Sequence, residues 1–572
     1  MTKSCPRFGY VCALLFAATC ALTCTVSANA QNQNIDPRLK ASLQNSLQLE
    51  KKLSPTQRRF LSEASLTRFA LAHQILDSRP NMLQRWMASR PAKATTRTHG
   101  QAIRSASEQP AMVSISSPAF DFTFSRGGGF SQNDTSTAWC GSNVVTGYND
   151  SSAILATLLA GGGLSFSGVS HSEDGGQSFT DLGYLDPGAS QFNFLVGNPS
   201  VACGDASHFY YASMFGTAIQ KSPRKIVFKE AIAINTSSDG GRTWSTPAAA
   251  VLMNGSNILQ RESLAVDPSN PQHLYISFTN LDFNIARTGS CAGDTQMLVE
   301  LVSSADGGNT WGKPRIIKRI CNNSGNAVNG SHVAVAPSGD VYVAYLFFDN
   351  VDGRELIQVR RSTNHGNSFR VPVDVATVIP VGGDGQMQGL FDGNQYPSLA
   401  VDRSNSNTRG TIYIAWNDGR NRSQPDIFAG SGVYNFADVF FVKSTDLGHH
   451  WSNPVGVSPA APDASRDQFM PGVAVDSTGR LSVCYSDRRN DPQNDAIDHY
   501  CSVSQDAGAT FQDLRLTDTS WSPSHFTDLV LKTGYMQDYD GVSPDWTGVN
   551  SGFFASFQFQ NYGNPNAFGA RF

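Results

Sequence analysis

Charged side chains are scarce in this chain: Asp, Glu, Lys and Arg make up 16% of its 572 residues, and the formal net charge is −4. A chain with no basic excess lacks the electrostatic footprint of a nucleic-acid-binding protein. Beyond the first 30 residues, no apolar run is long enough to cross a membrane as a helix. We therefore expect neither a nucleic acid nor a membrane span among its interactions.

Several catalytic motifs are missing. The chain has no G-x-S-x-G elbow, no H-E-x-x-H pair and no phosphate-binding Gly-Lys-Ser/Thr loop. The cysteines lack the close C-x-x-C spacing of a zinc site. The acidic loop 487–498 offers carboxylates for Ca²⁺, but its composition is more typical of a solvated hairpin loop. The sequence thus predicts no metal and no cofactor.

Residues 1–30 have the pattern of a secretory signal peptide. Lys3 and Arg7 form a basic start, residues 9–27 are mostly apolar, and 28–30 read A-N-A, a small-residue cleavage site. A signal anchor is the alternative, but the apolar run is short for one. We predict a secreted or periplasmic protein.

Six cysteines follow the signal peptide, an even number that suggests three disulfides in an oxidising compartment. Two pairs are placed symmetrically about a hairpin turn, which brings their strands within bridging distance. Elimination leaves the third pair, which occupies the same phase of neighbouring repeats. The predicted bonds are Cys291–Cys321, Cys484–Cys501 and Cys140–Cys203.

Residues 31–98 read as a helical segment, and residues 99–114 as a linker. Ser54 can cap a second helix, and Pro55 fits its first turn. The segment is basic, whereas the rest of the chain is acidic. It is therefore either a solvated helical pair, a segment that docks on the acidic main domain, or a propeptide that is removed.

One eight-residue motif recurs six times with the pattern S-x-D-x-G-x-[ST]-[WF] and small departures. The copies are "SEDGGQSF", "SSDGGRTW", "SADGGNTW", "STNHGNSF", "STDLGHHW" and "SQDAGATF". In such a turn, Ser and Asp accept backbone N–H groups and Gly permits a positive φ. The closing aromatic residue can pack between neighbouring repeats. The motif is therefore expected to have a structural task.

A strand–turn–strand pattern is interleaved with this motif and occurs seven times, 63 to 74 residues apart. Its copies align at Cys140, Cys203, Val266, Val335, Val401, Val475 and Ser543. A unit of four antiparallel strands at this period describes a β-propeller blade. Residues 115–572 are therefore predicted to form an all-β propeller of four-stranded blades, with seven favoured and six as the alternative. A strand from about residues 113–124 would close the last blade.

These repeats are similar to Asp-boxes (BNR repeats), and residues 115–572 resemble the sialidase-like propellers. The resemblance implies that the boxes lie at outer hairpins, away from the active site. It also implies three arginines that hold a sugar carboxylate, a tyrosine nucleophile with a glutamate base, and an acid–base aspartate. The family's Phe/Tyr-Arg-Ile-Pro motif is absent, and Arg126 in "TFSRGGGF" is the nearest match.

Ligands of propellers bind over the central channel, where loops enter the innermost strands. The loops before the strand–turn–strand copies offer polar candidates, and the roles that the resemblance implies divide them, together with Arg126, into two groups. The catalytic candidates are Tyr539 as nucleophile, Glu262 as base and Asp134 as acid; the substrate-binding candidates are Arg126, Arg261 and Arg466. The alternative is that Arg261–Glu262 and Arg466–Asp467 are local ion pairs that shape loops.

Three functions fit these patterns. The first is a secreted glycoside hydrolase of exo-α-sialidase type that acts on terminal acidic sugars. The second is a non-catalytic propeller that binds glycans or proteins, and the third is a structural surface module. We expect a glycan or glycoconjugate ligand, and the sequence does not determine the oligomeric state.

Overall fold

The computed structural model describes most of the chain from residue 37 onward. The described residues are 37–59, 61–62, 65–66, 68–69, 72–73, 110–117, 128–160, 162–190, 193–222, 225–383, 386–388, 391–426, 432–458, 465–523, 527–528, 538–560 and 565–572. They form seven antiparallel blades in ring order, each with four main strands. The predicted fold is confirmed, and seven blades replace the alternative of six.

Each blade runs from an inner strand at the central channel to an outer strand. Blade one consists of Gln132–Cys140, Asn143–Asp150, Ser167–Ser172 and Thr180–Tyr184, and blade two of Phe194–Cys203, Phe209–Ser222, Lys225–Ser237 and Ala248–Asn254. Blade three consists of Asn257–Asp267, Asn270–Asp282, Gln296–Ser304 and Arg315–Cys321. Blade four consists of Ala327–Val335, Val341–Asp349, Arg354–Ser362 and Val373–Val378. Blades five to seven are Ser398–Val401, Ile412–Asp418, Asp438–Ser444 and Val455–Gly456; Gln468–Val475, Leu481–Asp487, Asp498–Ser504 and Gln512–Arg515; and Gly541–Pro544, Phe553–Gln560, Pro565–Arg571 and Met112–Ser114.

Short elements decorate this ring. Helices with described bounds are α1 (Pro37–Lys52), α2 (Pro55–Arg59) and α3 (Ser151–Ala160), with a 3₁₀ turn at Asn322–Ser324. Residues 65–66, 68–69 and 72–73 are helical as well. The minor strands are Leu164–Ser165 on blade two, Gly128–Gly129 with Thr527–Asp528, Gln386–Met387 with Phe391–Asp392, and Ser423–Pro425 with Val433–Asn435. Within the described ranges, no helix is both long enough and apolar enough to cross a membrane.

The two ends of the chain close the ring together. Met112 pairs with Ala570 and Ser114 with Phe568, so the strand before the first blade is the outer strand of the last. The Trp139 N–H of blade one also donates to Ser543 Oγ of blade seven, at 3.1 Å. The predicted closure is confirmed for residues 112–114, while residues 118–127 lie outside the described residues.

Removing the closing strand should destabilise the ring. A chain that starts at residue 128 leaves the 565–571 strand with an unpaired edge, which invites self-association. We expect it to melt at a lower temperature than a chain that starts at residue 105 and to form larger species by light scattering. If both chains melt at the same temperature and both remain monodisperse monomers, the closure of the last blade by residues 112–114 is contradicted.

Hydroxyl groups on the inner strands link successive blades. Ser136 Oγ accepts the N–H of Val201 at 2.9 Å, and Ser200 Oγ accepts the N–H of Leu264 at 2.9 Å. Blades three and four, and blades five and six, are joined in the same way through Ser263 and Ser398. These bonds hold equivalent inner-strand positions at one level around the channel.

The repeated motif forms the turn between the third and outer strands. In the first copy, Ser172 Oγ accepts the N–H of Gly176 at 2.9 Å, and Asp174 Oδ1 accepts the N–H of Ser178 at 2.9 Å. The closing Phe179 packs on Phe554 of blade seven, with ring centroids 5.3 Å apart. The turn therefore has the structural role that its sequence predicts.

All three predicted disulfides are confirmed. They are Cys140–Cys203, which joins blades one and two, Cys291–Cys321 within blade three, and Cys484–Cys501 between directly opposed residues of blade six. Such bonds persist in oxidising compartments. Secretion itself stays a prediction.

The helical segment contacts blades two and three. Ser54 and Gln57 cap α2 reciprocally, with bonds of 3.1 and 2.9 Å. Leu49 and Leu53 belong to the same buried apolar cluster as Ile258 of blade three. These contacts show the described part of the segment docked on the propeller, and its removal as a propeptide stays a prediction.

Candidate functional site

Five inner strands begin with the same bulge. Two residues of the inner strand bulge out of register with the second strand, and the first of the two has a left-handed φ. These first residues are Asp134 (51°), Asn198 (57°), Arg261 (56°), Gly330 (64°) and Met470 (57°). Bulges of this kind re-aim side chains, and strained non-glycine residues concentrate at functional sites.

The bulges surround one end of the central channel, which we call the channel mouth. The channel holds a cavity of about 240 Å³. Arg261, Glu262, Tyr396, Asp538 and Tyr539 line its mouth, and we call these five residues the channel-mouth cluster. At the other end of the channel, Arg403 lies over the ring of Trp546, 4.5 Å from its centroid.

A buried ion pair crosses the channel mouth. Arg261 Nη2 lies 2.6 Å from Asp538 Oδ1, and both side chains are almost fully buried. The Arg261 guanidinium also lies 4.2 Å above the centre of the Tyr396 ring, a cation–π contact. Gly330 makes room for this ring, because a Cβ there would collide with it. The charge of Arg261 is therefore balanced by Asp538.

The surroundings of two further carboxyl groups favour their protonated form. Burial raises the pKa of Glu262 well above its ordinary value, although backbone N–H groups oppose the rise. Burial, and then the neighbouring Asp538, raise the pKa of Asp134 to about 8. Asp134 lies behind the cavity wall, where its carboxylate accepts the N–H of Asp538 and the amide of Asn149, each at 2.5 Å.

Tyr539 is held as a neutral phenol. Burial comes first among the causes that raise its pKa well above the ordinary value, and the nearby carboxyl groups of Asp134 and Glu262 raise it further wherever they ionise. Its hydroxyl donates to the Pro199 carbonyl oxygen at 2.8 Å. Tyr539 would have to exchange this bond for a proton acceptor before it could attack a substrate.

The raised pKa of Asp134 should make stability depend on pH. Folded Asp134 keeps its proton up to about pH 8, while the unfolded chain releases it near pH 3.8, so unfolding releases a proton between these values. We expect Asp134 to lower the free energy of unfolding as pH rises from about 4 to about 8, by at most roughly 1.4 kcal/mol per pH unit.

Urea denaturation at pH 5 to 9 measures this slope. Asp134→Asn should flatten the profile up to about pH 8, whereas Asp150→Asn should flatten it only up to about pH 6, where burial places the pKa of Asp150. An unchanged slope in Asp134→Asn would show that Asp134 is ionised in the fold.

The structure brings four of the six predicted site residues together: Asp134, Arg261, Glu262 and Tyr539. Arg466 lies elsewhere; its Nη1 donates to the Ser465 carbonyl oxygen, and it is not among the residues that line the cavity. Arg126 lies outside the described residues.

Neither predicted local ion pair is the arrangement seen. Arg261 pairs with Asp538 rather than with its neighbour Glu262. Asp467 accepts hydrogen bonds from Tyr434 and Asn494, at 2.6 and 2.7 Å, and lies 3.3 Å from the buried Arg488. Sequence reasoning missed the roles of Asp538 and Tyr396, although both stand just before a strand–turn–strand copy of the sequence, as the other candidates from these loops do.

No protein-family profile matches the chain, and no curated protein sequence matches it. Solved structures similar to it include a protein of unknown function from Dyadobacter fermentans, at 11% identity and a TM-score of 0.40, covering 80% of this chain and 97% of that one. An α-L-arabinanase from Penicillium chrysogenum is similar at 13% identity and a TM-score of 0.40, covering 65% of this chain and 92% of that one. A sialidase from Trypanosoma rangeli is similar at 12% identity and a TM-score of 0.36, covering 65% of this chain and 54% of that one. Likeness at this level carries no argument about activity, and the propeller assignment rests on the strand pairing.

Proposed function

We propose that the channel mouth binds the terminal sugar of a glycan and that the protein is a glycoside hydrolase. The observation that carries this proposal is the meeting of a buried glutamic acid, Glu262, whose pKa is raised by burial, with an ion-paired carboxylate, Asp538, at one cavity. Two carboxyl groups in different states are the working parts of most glycosidases. The Tyr396 ring and the Arg261 guanidinium add an apolar face and hydrogen-bond donors for a sugar.

The chemistry assigns a role to each group. Protonated Glu262 gives its proton to the glycosidic oxygen as the C–O bond breaks. Asp538 stabilises the positive charge that develops at the anomeric carbon, and water then attacks this carbon and loses a proton to the Glu262 carboxylate. Relative to the sequence assignment, Glu262 replaces Asp134 as the acid, because Glu262 lines the cavity and Asp134 lies behind it.

A neutral sugar fits this site better than the acidic sugar that the resemblance implies. Of the two described arginines predicted to bind a carboxylate, Arg261 is already paired and Arg466 is not at the cavity. A sugar carboxylate would have to displace Asp538 from Arg261. At about 240 Å³ the cavity is smaller than typical ligand pockets, which favours a single end group over a long chain.

A panel of fluorogenic glycosides, run beside a glycan array, tests the proposal. The panel should contain neutral pyranosides, neutral furanosides and a sialoside. We expect hydrolysis of a neutral member, and loss of that hydrolysis in Glu262→Gln. Glycan binding without hydrolysis would favour the non-catalytic propeller, and hydrolysis of the sialoside alone would restore the acidic sugar. If the folded protein shows no glycan binding and no hydrolysis, the proposal of a glycan site is refuted.

A further inference from the structure

Three side chains that can ligate a metal meet on the face of the propeller opposite the channel mouth, independently of the proposed glycan site. Asp267 ends the inner strand of blade three, His273 lies near the start of the next strand, and His365 belongs to the repeated motif of blade four. Their ligand atoms all lie within 4.8 Å of one another, and His273 Nδ1 is 3.9 Å from Asp267 Oδ2. We call Asp267, His273 and His365 the far-end triad.

A buried carboxylate oxygen of the far-end triad has no hydrogen-bond partner among the described residues. The Asp267 side chain is fully buried, and its Oδ1 accepts the N–H and the hydroxyl of Ser269 at 2.8 and 2.6 Å. Its Oδ2 has no hydrogen-bond donor within the described part of the chain. A buried carboxylate oxygen without a donor is costly, and a bound cation would relieve that cost.

The guanidinium of Arg403, which lies near Asp267, is bonded to backbone carbonyl groups. Arg403 lies close enough to Asp267 for that carboxylate to affect its pKa. Its guanidinium nevertheless donates to the carbonyl oxygens of Val335 and Val266, at 3.1 and 3.3 Å. Asp267 Oδ2 therefore faces the two imidazoles and not a guanidinium.

His365 occupies an unfavourable backbone conformation. Its φ is +56°, in the left-handed region, and the equivalent residue is a glycine in the first three motif copies. A side chain at such a position costs about 1 kcal/mol or more. The same copy carries Asn364 where the other five have aspartate. Copies five and six also carry a side chain at this position, Leu447 and Ala507, with φ of 65° and 55°. The fourth copy differs from them in Asn364 and in the imidazole that reaches blade three.

We propose that the far-end triad binds one Zn²⁺ ion that clamps blade three to blade four. Two imidazoles and one carboxylate are a ligand set that Zn²⁺ prefers, with water in the fourth position. His365 is exposed and His273 is partly exposed, so both rings can close on the ion to the usual 2.0–2.1 Å. The sequence predicts no metal here, because the ligands come from three separate elements with no fixed spacing.

Zinc titration of the chelator-stripped full chain by calorimetry tests the site, with His273→Ala and His365→Gly as variants. His365→Gly restores the glycine of other motif copies and should fold at least as well as the parent. His450→Thr is the matched control, because His450 also lies in a motif copy and contacts an aspartate, Asp446.

We expect the parent and the control to bind one more equivalent of Zn²⁺ than either variant. In the variants, affinity at this site should fall by at least about tenfold, the loss seen when even an outer-shell partner of a metal is removed. With Co²⁺ in place of Zn²⁺, the parent should show the visible spectrum of a four-coordinate ion. His273→Ala and His365→Gly should not show it. Equal stoichiometry and affinity in parent and variants, or no zinc bound by the folded parent, would overturn the proposal.

Discussion

Replacing Glu262 with glutamine is expected to lower kcat for glycoside hydrolysis on the order of 10²- to 10⁴-fold, the usual contribution of a general acid. Glutamine keeps the size and hydrogen bonding of the side chain but cannot give a proton to the leaving oxygen. Because burial raises the pKa of Glu262 well above its ordinary value, the parent enzyme should keep its activity to a higher pH than an exposed glutamic acid would allow, and lose it on the alkaline side. Steady-state kinetics over pH, on a substrate found by the glycoside panel, measure both effects.

Glu300→Gln is the matched control for this experiment. Glu300 is a buried glutamate of the same blade whose pKa burial also raises, but it is bonded to Asn280 at 2.8 Å and lies outside the cavity. We expect it to keep the parent's kcat. Full activity in a folded Glu262→Gln protein, with an unchanged alkaline limb, would remove Glu262 from the mechanism.

Replacing Arg68 with alanine should destabilise the protein by about 3–5 kcal/mol, the range for breaking one side of a buried ion pair. Arg68 Nη1 and Nη2 each lie 2.7 Å from a carboxylate oxygen of Glu230, and its Nε donates to Ser46 Oγ at 2.9 Å. Burial raises the pKa of Glu230 even with Arg68 present. Without the guanidinium, Glu230 must take up a proton or the helical segment must leave the blade.

Urea denaturation and limited proteolysis distinguish these responses. Release of the segment should expose α1 to protease while the propeller stays intact. Arg242→Ala is the control, because the Arg242–Glu173 pair is half exposed and its loss should leave the denaturation midpoint unchanged. If Arg68→Ala has the same urea denaturation midpoint and the same cleavage rate as the parent, the ion pair does not hold the helical segment on the propeller.

The propeller could be predicted because its sequence repeats the same local chemistry. Each motif copy builds the same turn, and polar residues stand at or just before the start of each inner strand. The spacing of these repeats therefore gives the extent of each blade. The disulfides Cys291–Cys321 and Cys484–Cys501 followed from symmetry about hairpins. Closure by residues 112–114 followed from the strand that the last blade lacks.

The site could be predicted only in part. Ring closure places equivalent loops around one channel, which is why Arg261, Glu262, Asp134 and Tyr539 meet. The partner of a side chain depends on rotamers and on contacts between distant blades. The pairing of Arg261 with Asp538, and the position of Arg466 beside its own loop, therefore have no signal in the spacing.

A crystal structure of the protein bound to the glycan selected by the panel tests the central claim most directly. The proposal predicts a terminal sugar in the channel mouth, with a sugar oxygen within hydrogen-bond distance of Glu262 and the ring against Tyr396. A sugar bound at an outer blade edge, with the channel-mouth cluster unchanged and empty, would contradict it.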